Sequence, residues 1–453
     1  MRSKRLIKYK YMSLISFLSL LSTLYFLLIP DAHALNIKRE VLDNGLVLLM
    51  VERHNLPMVI VKLGIKAGSV VEPPDKAGLS NLTAELLKAG TKKRTAQQID
   101  EEIEFVGGTL EVSGGDDYVN ISLMVLKKDI DLGFDLLSDI ILNPVFPEDE
   151  LKKRRNIIKG RLKASEDDPG FVASKVLMKE IFGGHPYARL VMGSEDGLDR
   201  IKREDIVGFH SSYYLPNNSI ISVVGDITID EVKGLIQRYL SQWRPGDIRH
   251  PDIPMPSINE KGKTIVIDKE LTQTNITIGH AGVKRDNPDY YAISVMNYIL
   301  GGGGFSSRLM QNIRDEKGLV YDINSSYLAK RYGGSFEITL QTKNESAQVA
   351  IEEVLKEVKR IREEPVSDQE LEDARSFLIG SFPMRIETGK RIADFLIALE
   401  YYGLGMDYID KYPEYIKMVT KEDIQRVAKE YLKPEGMIYV LVGDRKAGKG
   451  GGI

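Results

Sequence analysis

A gap-free internal repeat constrains the fold of this chain more than any other feature of its 453 residues. Residues 203–226 align with residues 421–444. The matching pairs are Arg203 and Lys421, Glu204 and Glu422, Asp205 and Asp423, Ile206 and Ile424, Tyr213 and Tyr431, Pro216 and Pro434, Ile220 and Ile438, Val224 and Val442, Gly225 and Gly443, and Asp226 and Asp444. Each copy predicts an acidic-capped helix, a turn at the proline and a buried strand ending in Gly-Asp. The repeat therefore predicts two duplicated α+β domains, each closed by the same module.

The division between the two domains is expected in a stretch rich in proline and polar residues, because little hydrophobic periodicity is found there. A chain of this length also exceeds one ordinary hydrophobic core. We predict an N-terminal domain over residues 35–246, a linker over residues 247–263, a C-terminal domain over residues 264–446 and a flexible Gly/Lys-rich tail over residues 447–453.

Residues 1–34 have the pattern of a secretory signal peptide. A basic start is followed by an apolar run from Met12 to Ile29 and by the small-residue cleavage pattern Ala32-His33-Ala34. The alternative is an uncleaved membrane anchor, since the apolar run is close to spanning length. The chain has no cysteine, which excludes disulfides and thiolate metal sites. Export without disulfides predicts a periplasmic protein, with a membrane as partner only if the segment stays uncleaved.

The charge balance argues against a nucleic-acid partner. The formal net charge of the chain is -3. Residues 1–34 hold five basic residues and one acidic residue, so the remainder carries a charge of -7. A mildly acidic protein lacks the positive surface that phosphate backbones require.

A glycine-rich stretch between Ile299 and Tyr321 carries the strongest local signal. The four glycines Gly301–Gly304 interrupt two apolar helical patterns, and such a break gives the backbone freedom to let another chain approach closely. Beyond them, Arg314 and Tyr321 flank a turn at Gly318, and a strand pattern follows. An arginine and a tyrosine so placed are either a solvated helix residue and a half-buried strand residue or a pair that faces a ligand.

This stretch resembles the C-terminal half of the pitrilysin/insulinase family of zinc peptidases, which includes the mitochondrial processing peptidases. The residues that carry the resemblance here are Gly302, Ser307, Arg308, Leu309, Arg314, Gly318, Leu319 and Tyr321. Further matches cover nearly all of the chain after residue 34, at Gly68, Ser69, Pro73, Ala77, Gly78, Leu79, Gly107, Gly108, His185, Pro186, Tyr187, Gly193 and the two Val-Gly-Asp ends. The resemblance implies two duplicated α/β-sandwich domains that face each other across a cleft. It also implies that Arg314 and Tyr321 contact peptide substrate.

The family's zinc motif is degenerate in this sequence. That motif, H-x-x-E-H, places two histidine ligands on one helical face and a glutamate that activates the metal-bound water. The matching positions here hold Asn81, Ala84 and Glu85. The family's third ligand is a downstream glutamate, and its position falls on Arg161, or within one residue on Gly160. Because all three ligands and the base are missing, we expect no metal and no cofactor in this chain.

Because processing peptidases of the resembled family divide labour between two chains, the resemblance implies a metal-free subunit of a heteromeric zinc peptidase that is inactive by itself. A homologous zinc-bearing subunit would be its partner, and Arg314 and Tyr321 would bind a peptide or unfolded protein. An alternative is a non-enzymatic structural or peptide-binding scaffold of the same fold. A third interpretation, an unorthodox peptidase site built on Glu85, has one carboxylate where three ligands are needed.

Overall fold

A computed structural model describes residues 35–256 and 261–444 of the chain. The predicted signal segment at residues 1–34 and the predicted tail at residues 447–453 lie outside the described residues. The strands are β1 (Lys38–Val41), β2 (Val47–Glu52), β3 (Met58–Ile65), β4 (Thr109–Ser113), β5 (Val119–Leu126), β6 (Ser219–Gly225), β7 (Lys263–Asp268), β8 (Gln273–Gly282), β9 (Val320–Lys330), β10 (Gly333–Lys343) and β11 (Ile438–Gly443).

Helices separate these strands. The α-helices of the first half are α1 (Leu79–Leu86), α2 (Ala96–Phe105), α3 (Ile130–Leu142), α4 (Glu148–Ser165), α5 (Pro169–Phe182), α6 (Glu195–Arg200), α7 (Arg203–Tyr213) and α8 (Ile229–Tyr239). Those of the second half are α9 (Tyr290–Asn297), α10 (Ala347–Glu363), α11 (Asp368–Ser381), α12 (Gly389–Tyr402), α13 (Tyr408–Met418) and α14 (Lys421–Tyr431). None of the helices within the described chain combines the length and the apolar character that crossing a membrane requires.

The strands form two mixed sheets with the same topology. The first has the order β1-β2-β6-β3-β5-β4, and the second has the order β7-β11-β8-β10-β9. In each sheet the strand of the repeated module pairs parallel to one neighbour and antiparallel to the other. The second sheet thus reproduces the first without β1, which confirms the predicted fold class of two duplicated α+β domains.

The repeated module folds as predicted in both halves. Helix α7 leads through a short 3-10 turn, Pro216–Asn218, into β6, and α14 leads through the equivalent turn, Pro434–Gly436, into β11. Every residue of β6 and of β11 is buried. Each strand lies inside its sheet with a neighbour on both sides, which explains why its sequence is apolar on both faces.

Two helices cross between the halves. Helix α5 packs against β8 and β11 of the second sheet, and helix α12 packs against β3 and β6 of the first. The hydroxyl of Ser222 on β6 donates to the carbonyl of Ala393 on α12 at 2.8 Å. The buried core that contains Leu177 of α5 also contains Val440 of β11. Each half therefore completes the core of the other.

Glycines make room for these exchanged helices at equivalent places. A Cβ atom added to Gly64 of β3 would lie 2.7 Å from Cγ2 of Ile397. One added to Gly279 of β8 would lie 3.1 Å from Cδ2 of Leu177 and, closer still, 2.3 Å from the carbonyl oxygen of Phe336 on β10. The contacting residues take the same position in α12 and in α5, nine residues into each helix. The exchange thus follows the same pseudo-symmetry as the two sheets.

The predicted linker begins as irregular chain: residues 247–256 form neither helix nor strand. Strand β7 begins at its last residue, Lys263. The domain boundaries themselves stay a prediction.

Candidate functional site

Helix α1 carries the positions that match the zinc motif. It begins after Gly78, whose φ of 101° lies in the left-handed region that favours glycine. Its apolar residues, including Leu82 and Leu86, are fully buried, and this fixes the helix against the first sheet. Ala84 is fully buried too, and Asn81 is 7% exposed. Ala84, which occupies the position of the family's catalytic base, therefore has neither a proton-accepting group nor access to water.

Glu85 is held by three neighbours. The side-chain amide of Asn81 donates to its Oε1 at 3.1 Å. The Nη1 atoms of Arg154 and Arg161 lie 3.4 Å from Oε2 and from Oε1, respectively. Only 15% of the Glu85 side chain is exposed, so two positive charges face one largely buried carboxylate.

Helix α4 positions both arginines. Three acidic residues in its first turn interact favourably with the helix dipole. The buried stripe of the helix consists of Leu151, Ile158 and Leu162. Arg154 and Arg161 each follow a residue of that stripe by three positions, and they are seven residues apart. Both guanidinium groups therefore lie on the same edge of α4 and point toward α1.

A surface cavity of about 570 Å³ opens beside this cluster. It is bounded by α1, by α4 and by the edge strand β4, which pairs only with β5 among the described strands. The remaining charges of its wall form separate ion pairs. Lys88 lies 2.7 Å from Asp100, and Lys153 lies 3.3 Å from Glu150.

A buried carboxyl group caps the start of α1. Glu72, which is 4% exposed, accepts hydrogen bonds from the backbone N–H groups of Gly78 and Ser80, each at 3.1 Å. Burial raises the pKa of the Glu72 carboxyl group to about 7, against the opposing effects of those amides and of Arg189. The residue thus acts as a helix cap that changes charge near neutral pH.

Metal ligands are not clustered in the described parts of the chain. Within residues 35–256 and 261–444, no three histidine, cysteine, aspartate or glutamate side chains lie close enough together to hold a metal ion. At the matched site the one carboxylate, Glu85, already pairs with guanidinium groups, which would repel a divalent cation. The residues present therefore do not fit zinc.

The glycine-rich stretch forms an unusual backbone in the second half. The sequence predicted two helical patterns with a glycine break, whereas the first two glycines extend α9 as a π-helix over Tyr298–Gly302. A second π-helix, Met310–Glu316, carries Arg314. π-Helical turns are rare and occur often at functional sites, so this geometry marks the segment as a candidate site.

Arg314 lies between two exposed aromatic rings. Its guanidinium carbon is 4.7 Å from the ring centroid of Phe305 and 5.6 Å from that of Tyr321. Phe305 is 69% exposed and Tyr321, on the edge strand β9, is 85% exposed. Asp315 pairs with Arg314 at 3.7 Å. The structure brings Arg314 and Tyr321 together, and it adds Phe305, which we name with them the aromatic-arginine patch.

Two models of one family match the chain in succession. Residues 47–195 match the model described as "Insulinase (Peptidase family M16)", and residues 200–378 match "Peptidase M16 inactive domain". The chain belongs to the M16 insulinase family. The resemblance inferred from the sequence is therefore confirmed, together with its fold class.

Relatives in this M16 family carry differing names. A Bacillus subtilis protein called "Uncharacterized zinc protease YmxG" is 27% identical over 362 residues, which cover 78% of this chain and 85% of the relative. A Helicobacter pylori protein called "Non-peptidase homolog YmxG" is 27% identical over 403 residues, which cover 88% of this chain and 92% of that protein. The family thus includes proteins described as proteases and proteins described as lacking that activity.

Solved structures share the fold of this chain. The "peptidase M16 inactive domain" of Pseudomonas fluorescens has a TM-score of 0.84 and 27% identity, and the match covers 90% of this chain and 98% of that one. A protein of Helicobacter pylori described as a protease also has a TM-score of 0.84, at 21% identity over 91% of this chain and 100% of its own. The second likeness concerns the fold alone.

Three contributors to these sites were absent from the predictions made from the sequence. Arg154 could have been found from its spacing, since residues seven apart share a helical face. Phe305 follows directly after the four glycines, and its exposure is visible only in the fold. Glu72 reaches α1 through a turn, and no local pattern signals that contact.

Proposed function

We propose that this chain is the metal-free subunit of a two-chain M16 peptidase and that it presents Arg314 and Tyr321 to a peptide substrate. A homologous partner would carry the H-x-x-E-H motif and its zinc ion. The observation that carries the proposal is the contrast between the two halves. Glu85 at the motif position is paired with guanidinium groups, whereas the aromatic-arginine patch stays accessible to another molecule.

The chemistry of the first site argues against peptide hydrolysis by this chain. A zinc peptidase needs an activated water and a base that takes its proton. Ala84 offers no such base, and the charges of Arg154 and Arg161 oppose binding of a cation. The Helicobacter relative named as a non-peptidase homologue supports the same conclusion.

The second site has the groups that peptide recognition uses. An arginine donates a planar fork of N–H groups to peptide carbonyls or to a carboxylate, and a tyrosine hydroxyl can stabilise a developing oxyanion. Exposed aromatic rings bind peptide side chains at little entropic cost. Among the described strands, β9, where Tyr321 lies, pairs only with β10, so its other edge can pair with an extended chain.

The test is metal content and peptidase activity of the purified chain, alone and mixed with a zinc-bearing M16 partner. We expect no zinc and no turnover alone, and cleavage of a fluorogenic peptide in the mixture. Arg314→Ala and Tyr321→Phe should lower kcat/KM of the mixture at least tenfold. Arg238→Ala, an exposed arginine that pairs with Asp131 on another surface, is the matched control. A zinc-loaded, active preparation of the chain by itself would refute the proposal.

The non-enzymatic scaffold is the second candidate, favoured by the name of the Helicobacter relative. It predicts association with a partner or a peptide without any cleavage. In that case Arg314→Ala and Tyr321→Phe would leave assembly unchanged, which separates the two functions in one set of samples.

A further inference from the structure

In the cluster around Glu85, two positively charged side chains face one negatively charged side chain. Each other lysine in the cavity wall pairs with one acid, and Glu111 of the wall pairs with Lys390 at 3.5 Å. At the cluster, two arginines share one carboxylate. The lining holds four basic and four acidic side chains, but Glu111 pairs with Lys390 outside the lining, so the Glu85 cluster itself has two positive charges for one negative charge.

The two arginines also keep hydrogen-bond donors free. A guanidinium group has five N–H donors, and Glu85 has only two oxygens for ten of them. The contacts at 3.4 Å are long for charged hydrogen bonds, and the side chains are 33% exposed for Arg154 and 54% exposed for Arg161. Their remaining donors therefore reach the water of the 570 Å³ cavity. A second carboxylate would complete the pairing.

Strand β4 places an extended ligand beside these donors. Glu111, Val112 and Ser113 of this edge strand form one wall of the cavity. A peptide that pairs with the free edge of β4 would run past the cluster, and its side chains would alternate toward and away from it.

We propose that Arg154 and Arg161 form a carboxylate-binding subsite that selects peptides with a free carboxylate near their β4-paired segment. This inference rests on the peptide binding put forward above and names its substrate class. The carboxylate belongs to an acidic side chain or to the C-terminus of the peptide. Glu85 acts as an internal competitor that holds the arginines in place when no ligand is bound.

The experiment measures the Kd of the purified full chain for labelled octapeptides by fluorescence anisotropy. One peptide has an internal glutamate, one has glutamine there, and each is made with a free or an amidated C-terminus. We expect about two- to fivefold tighter binding for peptides with the recognised carboxylate, which is the upper part of the range for a partly exposed charged pair. The four arms show whether the side chain or the C-terminus supplies it.

Variants of the cluster give effects of opposite sign. The double variant Arg154→Gln/Arg161→Gln should remove the preference for peptides with a carboxylate. Glu85→Gln should increase that preference, because the competing carboxylate is gone. Arg238→Gln is the control and should change neither the Kd values nor the preference. Equal affinities for all four peptides in the wild type, or no effect of Glu85→Gln on the preference, would overturn the inference.

The same samples separate this inference from the proposed function. Arginine-dependent preference for a carboxylate in a chain that never supports cleavage with its partner would sustain the subsite and refute the peptidase role. Cleavage by the mixture, together with equal affinity of the chain for all four peptides, would support the peptidase role and refute the subsite. Failure of the chain to bind any of the peptides would refute the subsite alone, since cleavage by the mixture still decides the proposed function.

Discussion

Glu72 should make the stability of this protein fall as the pH rises toward 8. Its carboxyl group is 4% exposed and its pKa is raised from 4.5 to about 7 in the folded chain. An acid whose pKa is raised on folding contributes stability that is fully present below its unfolded pKa. That contribution is lost as the pH rises from the unfolded pKa through the folded pKa, because between these two values the folded state holds a proton that the unfolded state has released.

The magnitude follows from the size of the pKa shift. Each pKa unit corresponds to about 1.4 kcal/mol, so the contribution of Glu72 should decrease by roughly 3 kcal/mol between pH 4.5 and pH 8. The assay is urea unfolding of the wild type and of Glu72→Gln at intervals across this range. Glutamine stays neutral and keeps one acceptor oxygen for the N–H groups of Gly78 and Ser80. The buried His210 and His280, whose pKa values burial lowers to about 4, titrate in both proteins and cancel in the difference.

The expected result is a stability difference that changes by roughly 3 kcal/mol in favour of Glu72→Gln as the pH rises. Glu104→Gln, at an exposed acid of α2, is the matched control and should show no such trend. A difference between wild type and Glu72→Gln that stays constant from pH 5 to pH 8, or that favours the wild type at high pH, would refute the reasoning.

Two further predictions test the register of the degenerate site and the exchange of helices. The variant Asn81→His/Ala84→Glu/Glu85→His/Arg161→Glu should bind about one zinc ion per chain in a calorimetric titration, and the same variant with Arg161 retained should bind at least tenfold more weakly. Equal affinities would show that residue 161 is not at a ligand position. Gly64→Ala should destabilise the chain by about 1–3 kcal/mol in urea unfolding, because the new Cβ would lie 2.7 Å from Ile397. Ile397→Ala should cost about 2–5 kcal/mol by leaving a cavity, and the double variant should cost less than the sum, whereas strict additivity would contradict the contact.

The duplicated architecture was predictable because its signals are local and repeated. Proline turns, buried apolar strands and the Gly-Asp ends occur in both halves at one fixed offset, so each copy supports the other. The exchange of α5 and α12 was not predictable in this way. An apolar helical stripe shows that a helix packs on a sheet, but it does not show which sheet, and both sheets here present the same topology.

The candidate sites, too, were predictable only where their signal is local in the sequence. The alignment of Asn81, Ala84 and Glu85 with the family motif depends on sequence alone, and the structure places Arg161 against Glu85. The glycine run was harder to interpret, since glycine is typical of loops, yet Gly301 and Gly302 continue a helix in π form. That geometry depends on tertiary contacts: a Cβ at Gly301 would lie 2.5 Å from the Ser325 hydroxyl on β9.

The pairing of Glu85 shows how a carboxylate is kept at the degenerate motif without a metal ion. A largely buried carboxylate without a counter-charge would destabilise the fold by several kcal/mol. In a zinc peptidase the ion offsets the charge of its ligands, whereas here Arg154 and Arg161 perform that role from a neighbouring helix. Because the arginines are fixed parts of the chain, the site keeps its positive charge permanently and cannot gain or lose it with the supply of metal. This fixed charge is the basis of the carboxylate preference proposed above.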